Sequence, residues 1–187
     1  MNNLMSIRVT VFGGSLPSLS DEAYMDAFTL GKLLGESQCK VLTGGYIGTM
    51  EAVSQGAAQA GGYVIGVTCD EIEAWRPIKP NSWIHEELRF PTLRERMFAL
   101  MEQCDAAFAL PGGIGTLAEI TVMWAQLQIG AIEFRPLILI GKEWNHVIDC
   151  FYTTLGDYIS VDNRKYISFV SDVHEAYQKL NSFFPSR

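Results

Sequence analysis

Short apolar runs alternate along the chain with longer segments of helical periodicity, and this alternation predicts an α/β fold. Most of the apolar runs end at glycine, proline or another turn residue, as strands do before a crossover. The 187 residues, 48% of them hydrophobic, suffice for one core, and no segment has the composition of a linker. The sequence therefore predicts a single domain, residues 1–187, built on a doubly wound, Rossmann-like parallel sheet.

The first third of the chain predicts a β-α-β-α-β succession. Its first strand is expected to be buried, because an apolar run ends directly at Gly13-Gly14. Such a succession favours parallel strands joined by right-handed crossovers. The elements are a strand from Ile7 to Phe12, a helix from Ser20-Asp21-Glu22 to Gly35, a strand at Val41-Leu42, a helix from Thr49 to Ala60 and a strand from Tyr63 to Val67.

Residues 68–91 interrupt the alternation. Two tryptophans, several prolines and mixed charges show no period there, so we expect a long loop or lid, a type of segment that often carries function. The alternation then resumes. The predicted elements are a helix from Thr92 to Gln103, a strand from Ala106 to Leu110, a helix from Thr116 to Ile129, a strand from Pro136 to Ile140, a helix from Asn145 to Leu155, a strand from Ile167 to Val170 and a final helix capped by Asp172, with Glu175 in capping-box position.

Composition excludes several classes of protein. The formal net charge is −7 and no stripe of Lys or Arg occurs, which argues against a nucleic-acid partner. The apolar content favours a homo-oligomer, in which part of the apolar surface is buried between subunits. Met1 to Ser6 does not resemble a signal peptide and no run could span a bilayer, so we expect a cytoplasmic protein. The four cysteines have no metal-ligand spacing and are expected to be buried, reduced thiols.

Two glycine-rich turns of similar design each follow a predicted strand and precede a helix. One is Gly44-Gly45-Tyr46-Ile47-Gly48-Thr49 and the other is Pro111-Gly112-Gly113-Ile114-Gly115-Thr116. Glycine lets the backbone approach a ligand, and a helix N-terminus offers unpaired N–H groups to an anion. The turns can face one crevice beyond the carboxyl ends of the strands. The alternative is that these glycines serve only tight turns and strand–helix packing.

The sequence in and around these turns limits the types of phosphate ligand that we expect. No P-loop sequence is present, and the loop after strand one lacks the dinucleotide fingerprint. A nucleoside monophosphate, with a single phosphate and a ribose, suits a backbone cradle better. Ser15, directly after Gly13-Gly14, is expected to cap a turn or contact the ligand. The three histidines are far apart, so neither a metal site nor a serine-hydrolase site is expected, and no cofactor is implied.

Glu119 allows two interpretations. Thr116-Leu117-Ala118-Glu119 fits a T-x-x-E capping box, in which the glutamate only holds the helix start. Its place beside a phosphate cradle instead puts a carboxylate near a bound ribose, where it could stabilise an oxocarbenium-like transition state or orient water.

Arg94 and Arg96 fall near the start of another T-x-x-E helix, where the helix dipole disfavours cations. One of the two arginines is therefore expected to pair with an anion. The partner is either a nearby acid (Glu86, Glu87 or Glu95) or a ligand phosphate or ribose. Arg96 adjoins the apolar stripe of its helix and is the better candidate to face a cleft.

The run Pro111 to Glu119, with an arginine on the preceding helix, resembles the PGGxGTxxE hallmark of the Lonely Guy phosphoribohydrolases, long labelled "lysine decarboxylase-like". The resemblance extends from strand one to about Ile140. It implies a Rossmann-like dimer that cleaves the N-glycosidic bond of a nucleoside 5′-monophosphate, of AMP or cytokinin ribotide type. Arg96 and Glu119 would be its catalytic pair. With the two glycine turns and their neighbours, the substrate-binding positions expected are Ser15, Gly44, Gly45, Gly48, Thr49, Met97, Gly112, Gly113, Ile114, Gly115 and Thr116.

The sequence also departs from this family pattern. Met97 stands where the family has lysine after the arginine, and Thr43 to Glu51 replaces the usual GGGxxGLMG. Contacts to the base or ribose are expected to differ there and in residues 68–91. The other function class left open is a non-catalytic protein that binds a nucleotide or carries molybdenum cofactor. Lysine decarboxylation is the weakest reading, since neither glycine turn contains a lysine for a pyridoxal phosphate Schiff base.

Overall fold

A single parallel sheet of seven strands organises residues 7–184, the part of the chain that this computed structural model describes. The strands are β1 (Arg8–Phe12), β2 (Lys40–Thr43), β3 (Tyr63–Cys69), β4 (Glu86–Phe90), β5 (Ala106–Ala109), β6 (Leu137–Ile140) and β7 (Ile167–Val170). Their order is β4-β3-β2-β1-β5-β6-β7, and every neighbouring pair is parallel. The chain moves outward from β1 to one edge, then crosses back to β5 on the other side of β1. The crevice between the loops after β1 and β5 is thus the switch point where ligands bind in such sheets.

Helices cover both faces of the sheet. They are α1 (Glu22–Glu36), α2 (Thr49–Gln59), α3 (Asp70–Trp75), α4 (Leu93–Glu102), α5 (Ile114–Ile129), α6 (Lys142–Leu155) and α7 (Val173–Phe183), with 3₁₀ turns at Gly156–Tyr158 and Val161–Tyr166. One core cluster joins the strands to α1, α2 and α7, and the other joins them to α4, α5 and α6. The central strands are apolar on both faces because both faces are covered. The predicted fold class, a doubly wound Rossmann-like sheet, is confirmed.

The structure corrects the prediction for residues 68–91. This segment is not simply a loop: β3 runs on to Cys69, α3 follows it directly, and β4 adds a seventh strand at the edge of the sheet. The edge strand lacks an apolar pattern because none of its five side chains is fully buried. Helix α3 has only six residues, three of them acidic, so it shows no helical period. Residues 76–85 remain irregular.

Smaller corrections concern the helix starts and one thiol. Helix α5 begins at Ile114 rather than at Thr116, and α6 begins at Lys142 rather than near Asn145. Cys150 is exposed on α6, whereas the other three cysteines are buried as expected. Within residues 7–184, no helix is long and apolar enough to cross a membrane. Met1 to Ser6, on which the signal-peptide argument depends, lies outside the described residues.

Candidate active site

A cleft of about 710 Å³ opens beyond the carboxyl ends of the central strands. The loop after β1, the turns after β2 and β5, and helices α3, α4 and α5 all contribute to its wall. Because these elements follow five different strands of one parallel sheet, they converge at the same edge. The cleft therefore lies where the sequence places a ligand.

The second glycine turn forms one end of this cleft. Helix α5 begins in it, with Gly113 at the N-cap and no side chain capping the first turn. The first helical hydrogen bond runs from the Leu117 N–H to the Gly113 carbonyl, 3.0 Å away. The three preceding amides therefore have no helical acceptor. Residues 112–115 are exposed to the cleft, and the space beside Gly113 and Gly115 is open. This end of the cleft is suited to an anion.

The first glycine turn is placed differently. Of its residues, Tyr46 and Ile47 lie in the cleft wall, next to Met50 of α2. Gly44, Gly45, Gly48 and Thr49, predicted to bind substrate, are buried and do not line the cleft.

Backbone groups of this first turn bond to neighbouring protein rather than facing the cleft. The Thr49 N–H and hydroxyl both donate to the Gly14 carbonyl, at 2.9 and 3.1 Å. The Gly45 carbonyl accepts from the Asn81 N–H at 2.8 Å. Gly48 has φ +75°, and a Cβ there would collide with the backbone of Gly14 and Ser15. The geometry thus favours the second turn for an anion and uses the first to support the loop that carries Ser15, which does line the cleft.

Arg96 lies between the two turns and is only 5% exposed. Its Nε donates to the Val67 carbonyl at 2.7 Å, and its Nη2 donates to the Gly44 carbonyl at 3.1 Å. Its Nη1 lies 3.8 Å from Oε1 of Glu119. The nearby acids proposed from sequence are therefore not its partners: Glu95 forms a capping box with Thr92 instead. The backbone fixes this guanidinium with one edge toward the acid.

Glu119 does not close a capping box, because α5 begins two residues before Thr116. Its side chain lines the cleft and is 9% exposed as a residue. Burial raises the pKa of Glu119 to about 7, and Arg96 opposes that shift. A carboxyl group with a pKa near neutrality, next to a fixed guanidinium, can exchange a proton at physiological pH.

Tyr46 is a site residue that the sequence reasoning missed. Its ring lies 5.8 Å from the Arg96 guanidinium carbon, at a distance typical of a cation–π contact. Its hydroxyl accepts from the Cys69 N–H at 3.0 Å and lies 3.2 Å from Glu73 Oε1. The sequence feature that could have indicated Tyr46 is an aromatic residue inside a glycine turn, where small residues are usual.

The structure brings most of the predicted site residues together. Arg96, Glu119, Ser15, Met97 and the run 112–116 all line one cleft, beside an apolar wall from α3 that the sequence did not predict. Within residues 7–184, no cluster of three or more His, Cys, Asp or Glu side chains could hold a metal ion. The fold and the cleft define a Rossmann-like protein with an exposed, uncapped helix N-terminus beside a buried carboxylate–guanidinium pair.

Comparison with known proteins identifies the family. The family model described as "Possible lysine decarboxylase" matches residues 50–180. The chain is 33% identical over 88% of its length to a rice (Oryza sativa subsp. japonica) "probable cytokinin riboside 5′-monophosphate phosphoribohydrolase", of which it covers 63%. It is 31% identical over 95% of its length to the Arabidopsis thaliana enzyme "cytokinin riboside 5′-monophosphate phosphoribohydrolase", of which it covers 78%. The chain therefore belongs to this family, which includes the Lonely Guy phosphoribohydrolases.

Two further similarities are more distant. The chain is 28% identical over 95% of its length to the Escherichia coli (strain K12) "pyrimidine/purine nucleotide 5′-monophosphate nucleosidase", of which it spans only 40%. The molybdenum cofactor binding protein of the phototrophic bacterium Rippkaea orientalis superposes with a TM-score of 0.74 at 20% identity, covering 95% of this chain and 97% of that one. The latter similarity shows the fold alone. The names of the curated relatives place the family among hydrolases of N-glycosyl bonds.

Proposed function

We propose that the protein hydrolyses the N-glycosidic bond of a nucleoside 5′-monophosphate, releasing the free base and ribose 5-phosphate. The observation that carries the proposal is the combination, in one cleft, of the exposed N-terminus of α5 with the buried pair Arg96 and Glu119. The relatives named as phosphoribohydrolases and nucleotide nucleosidase support this reaction class.

In this proposal the 5′-phosphate binds the amides at the start of α5. That helix is 16 residues long, so its N-terminus presents both unpaired N–H groups and the positive end of a helix dipole. Ser15, from the loop after β1, lines the same end of the cleft and can donate its hydroxyl to a phosphate oxygen. The phosphate thereby fixes the ribose along the cleft, toward Glu119.

The ionised Glu119 carboxylate would then face the anomeric carbon. As the C1′–N bond breaks, its electrons pass to the base, which takes up a proton from solvent, and positive charge develops on the ribose. The carboxylate stabilises that charge and accepts a proton from the attacking water, whose oxygen becomes the new C1′ hydroxyl; the carboxyl group then returns this proton to solvent. Arg96, held by two backbone carbonyls, positions the carboxylate and can bond a ribose hydroxyl. The proposed step requires no metal and no organic cofactor.

The substrate that we propose is AMP or a cytokinin ribotide. The plant relatives are named for cytokinin riboside monophosphates and the E. coli relative for purine and pyrimidine nucleotides, so the family accommodates several bases. Met97, which replaces the lysine of the family motif, lines the cleft here and makes its wall more apolar.

The test is base release. Purified protein is incubated with AMP and with isopentenyladenosine monophosphate, and free base is measured by chromatography. We expect release by the wild type and a loss of roughly 100-fold or more in kcat for Glu119→Gln, in the range for an essential acid–base group. Glu133→Gln, at an exposed position outside the cleft, is the matched control. Tight AMP binding without release of base would instead favour the non-catalytic carrier.

A further inference from the structure

Helix α3, which the sequence did not predict, is held in place by its acidic side chains. Arg89 on β4 donates from Nη1 and Nη2 to both oxygens of Glu73, at 3.0 and 2.9 Å, and from Nε to Asp70 at 2.7 Å. Glu71 accepts from the Leu93 N–H, at the start of α4, at 2.7 Å. These contacts join the short helix both to the edge strand and to the helix that carries Arg96. Its orientation is therefore defined.

Two apolar side chains of α3 face the cleft. Ile72 and Trp75 line it, and Ile78, just beyond the helix, continues the same apolar wall. Trp75 is 80% exposed, although its indole is among the most costly side chains to leave in water. A large aromatic surface exposed at the mouth of a cleft is a surface that a ligand can cover.

Strand order sets the direction in which a nucleotide lies in the cleft. The proposed phosphate end follows β5, whereas α3 follows β3, three strands away and thus roughly 14 Å along the edge of the sheet. Between them, Arg96 bonds the carbonyl of Val67 on β3 and that of Gly44 after β2, and it reaches toward Glu119. A ligand with its phosphate at α5 and its anomeric carbon at Glu119 has its base directed toward α3.

We infer that Trp75 is the platform on which the nucleobase stacks, and that α3 is the element that selects the base. The inference rests on the proposed function, because it takes its direction from the proposed phosphate site. Stacking increases with the overlapping aromatic area, so α3 favours purine over pyrimidine monophosphates. Arg89 holds α3 through Asp70 and Glu73 without lining the cleft itself.

The kinetic test compares Trp75→Ala, Trp75→Phe and the matched control Trp83→Phe, which lies in the same segment but does not line the cleft. We expect Trp75→Ala to raise KM for AMP roughly tenfold, and KM for CMP less, with kcat within about twofold of wild type. Trp75→Phe should recover most of the loss, and Trp83→Phe should match the wild type. Product inhibition by ribose 5-phosphate, which has no base, should be the same in all four proteins.

A binding test uses tryptophan fluorescence in a Glu119→Gln background. AMP should quench the fluorescence of Glu119→Gln and of its Trp83→Phe derivative, and this quenching should disappear in its Trp75→Phe derivative. The inference is overturned if KM for AMP is unchanged in Trp75→Ala, if inhibition by ribose 5-phosphate weakens to the same extent, or if the variant changes oligomeric state. The last result would mean that a second copy covers the indole.

The two proposals fail separately. If the wild type binds AMP but releases no base, hydrolysis is refuted, and the fluorescence experiment alone decides the role of Trp75. If the wild type releases base and Trp75→Ala behaves like wild type, only the assignment of the base platform fails. A wild type that neither binds nor hydrolyses any nucleoside monophosphate refutes both.

Discussion

Glu119 and Arg96 lie close together but differ in what surrounds them. Two backbone carbonyls accept hydrogen bonds from Arg96 and fix its guanidinium, whereas burial raises the pKa of the Glu119 carboxyl group. The separation of 3.8 Å between Nη1 and Oε1 exceeds that of a short charge-assisted hydrogen bond. The ion pair therefore offsets only part of the cost of burial, and the carboxyl group keeps a raised pKa.

This raised pKa predicts a pH dependence of the proposed reaction. Burial moves the pKa of Glu119 to about 7, and the proposed mechanism needs the ionised form. We expect kcat/KM for AMP to rise between pH 5 and 8 with an inflection near 7. A profile that is flat over this range, or the same inflection in the residual activity of Glu119→Gln, would contradict the assignment.

Arg96→Lys predicts a loss of both activity and stability. A lysine ammonium cannot reproduce the fork that reaches Val67, Gly44 and Glu119 together. A buried carbonyl left without its donor costs about 1–3 kcal/mol. Thermal unfolding should therefore show a lower Tm together with reduced base release. The neighbouring Arg94→Lys, at an exposed position, is the control and should leave both unchanged.

At the scale of elements, two identical motifs show how far the sequence could predict the site. Thr92-x-x-Glu95 and Thr116-x-x-Glu119 both fit a capping box, yet only the first forms one. In the second, the glycine turn lets the helix begin at Ile114, so Thr116 is already inside its first turn. Glu119 therefore does not cap the helix, and its side chain lines the cleft. The T-x-x-E motif is visible in the local sequence, but the residue at which the helix begins depends on backbone geometry. The two glycines allow more than one such geometry.

The other elements also differ in how well the local sequence predicts them. Strands that are buried on both faces, such as β5 and β6, are apolar throughout and were predicted within one or two residues. The edge strand β4 and the helix α3 were missed because their contacts are polar and distant in sequence, as in the pairs of Arg89 with Asp70 and Glu73. Such contacts leave no periodic pattern in the local sequence. The apolar wall of the cleft was missed with them.

The supporting role of the first glycine turn gives a prediction at this scale. In Gly48→Ala, the new Cβ meets the backbone of Gly14 and Ser15 at a φ of +75°, so we expect a loss of about 1–3 kcal/mol in the free energy of unfolding. Gly115→Ala is the control for stability, because nothing lies within 4 Å of the position. Chemical denaturation measures both. Equal stability of the two variants would contradict the packing described for the first turn.

At the scale of the whole molecule, Glu119 links the site to stability. Its pKa is higher in the folded state, about 7, than the ordinary value of 4.5 for a glutamate, so the folded protein binds a proton more tightly than the unfolded chain. The resulting stabilisation is fully present below about pH 4.5 and is lost as the pH rises through about 7. A site built for chemistry thus lowers stability at neutral and alkaline pH.

The corresponding prediction compares Glu119→Gln with wild type at two pH values. Glutamine does not titrate, so the variant should gain stability relative to wild type between pH 5 and pH 8, by up to about 3 kcal/mol. Urea denaturation at each pH measures the difference, with Glu133→Gln as the control. A relative stability that is independent of pH would show that the Glu119 carboxyl group is not desolvated.

The expected dimer also belongs to this scale and remains a prediction. Ile129 and Phe134, at the end of α5 and just after it, are 76% and 60% exposed, a pair of large apolar side chains that a second copy could cover. Light scattering should give the mass of two chains, and Phe134→Glu should shift it toward one. A monomeric wild type would refute the prediction.

The most direct test of the proposed site is a crystal structure of Glu119→Gln with AMP. We predict that the phosphate lies within hydrogen-bond distance of the amides of residues 114–116, with C1′ beside the side chain at position 119. A phosphate bound elsewhere in the cleft, or a ribose whose anomeric carbon faces away from position 119, would contradict the proposed site.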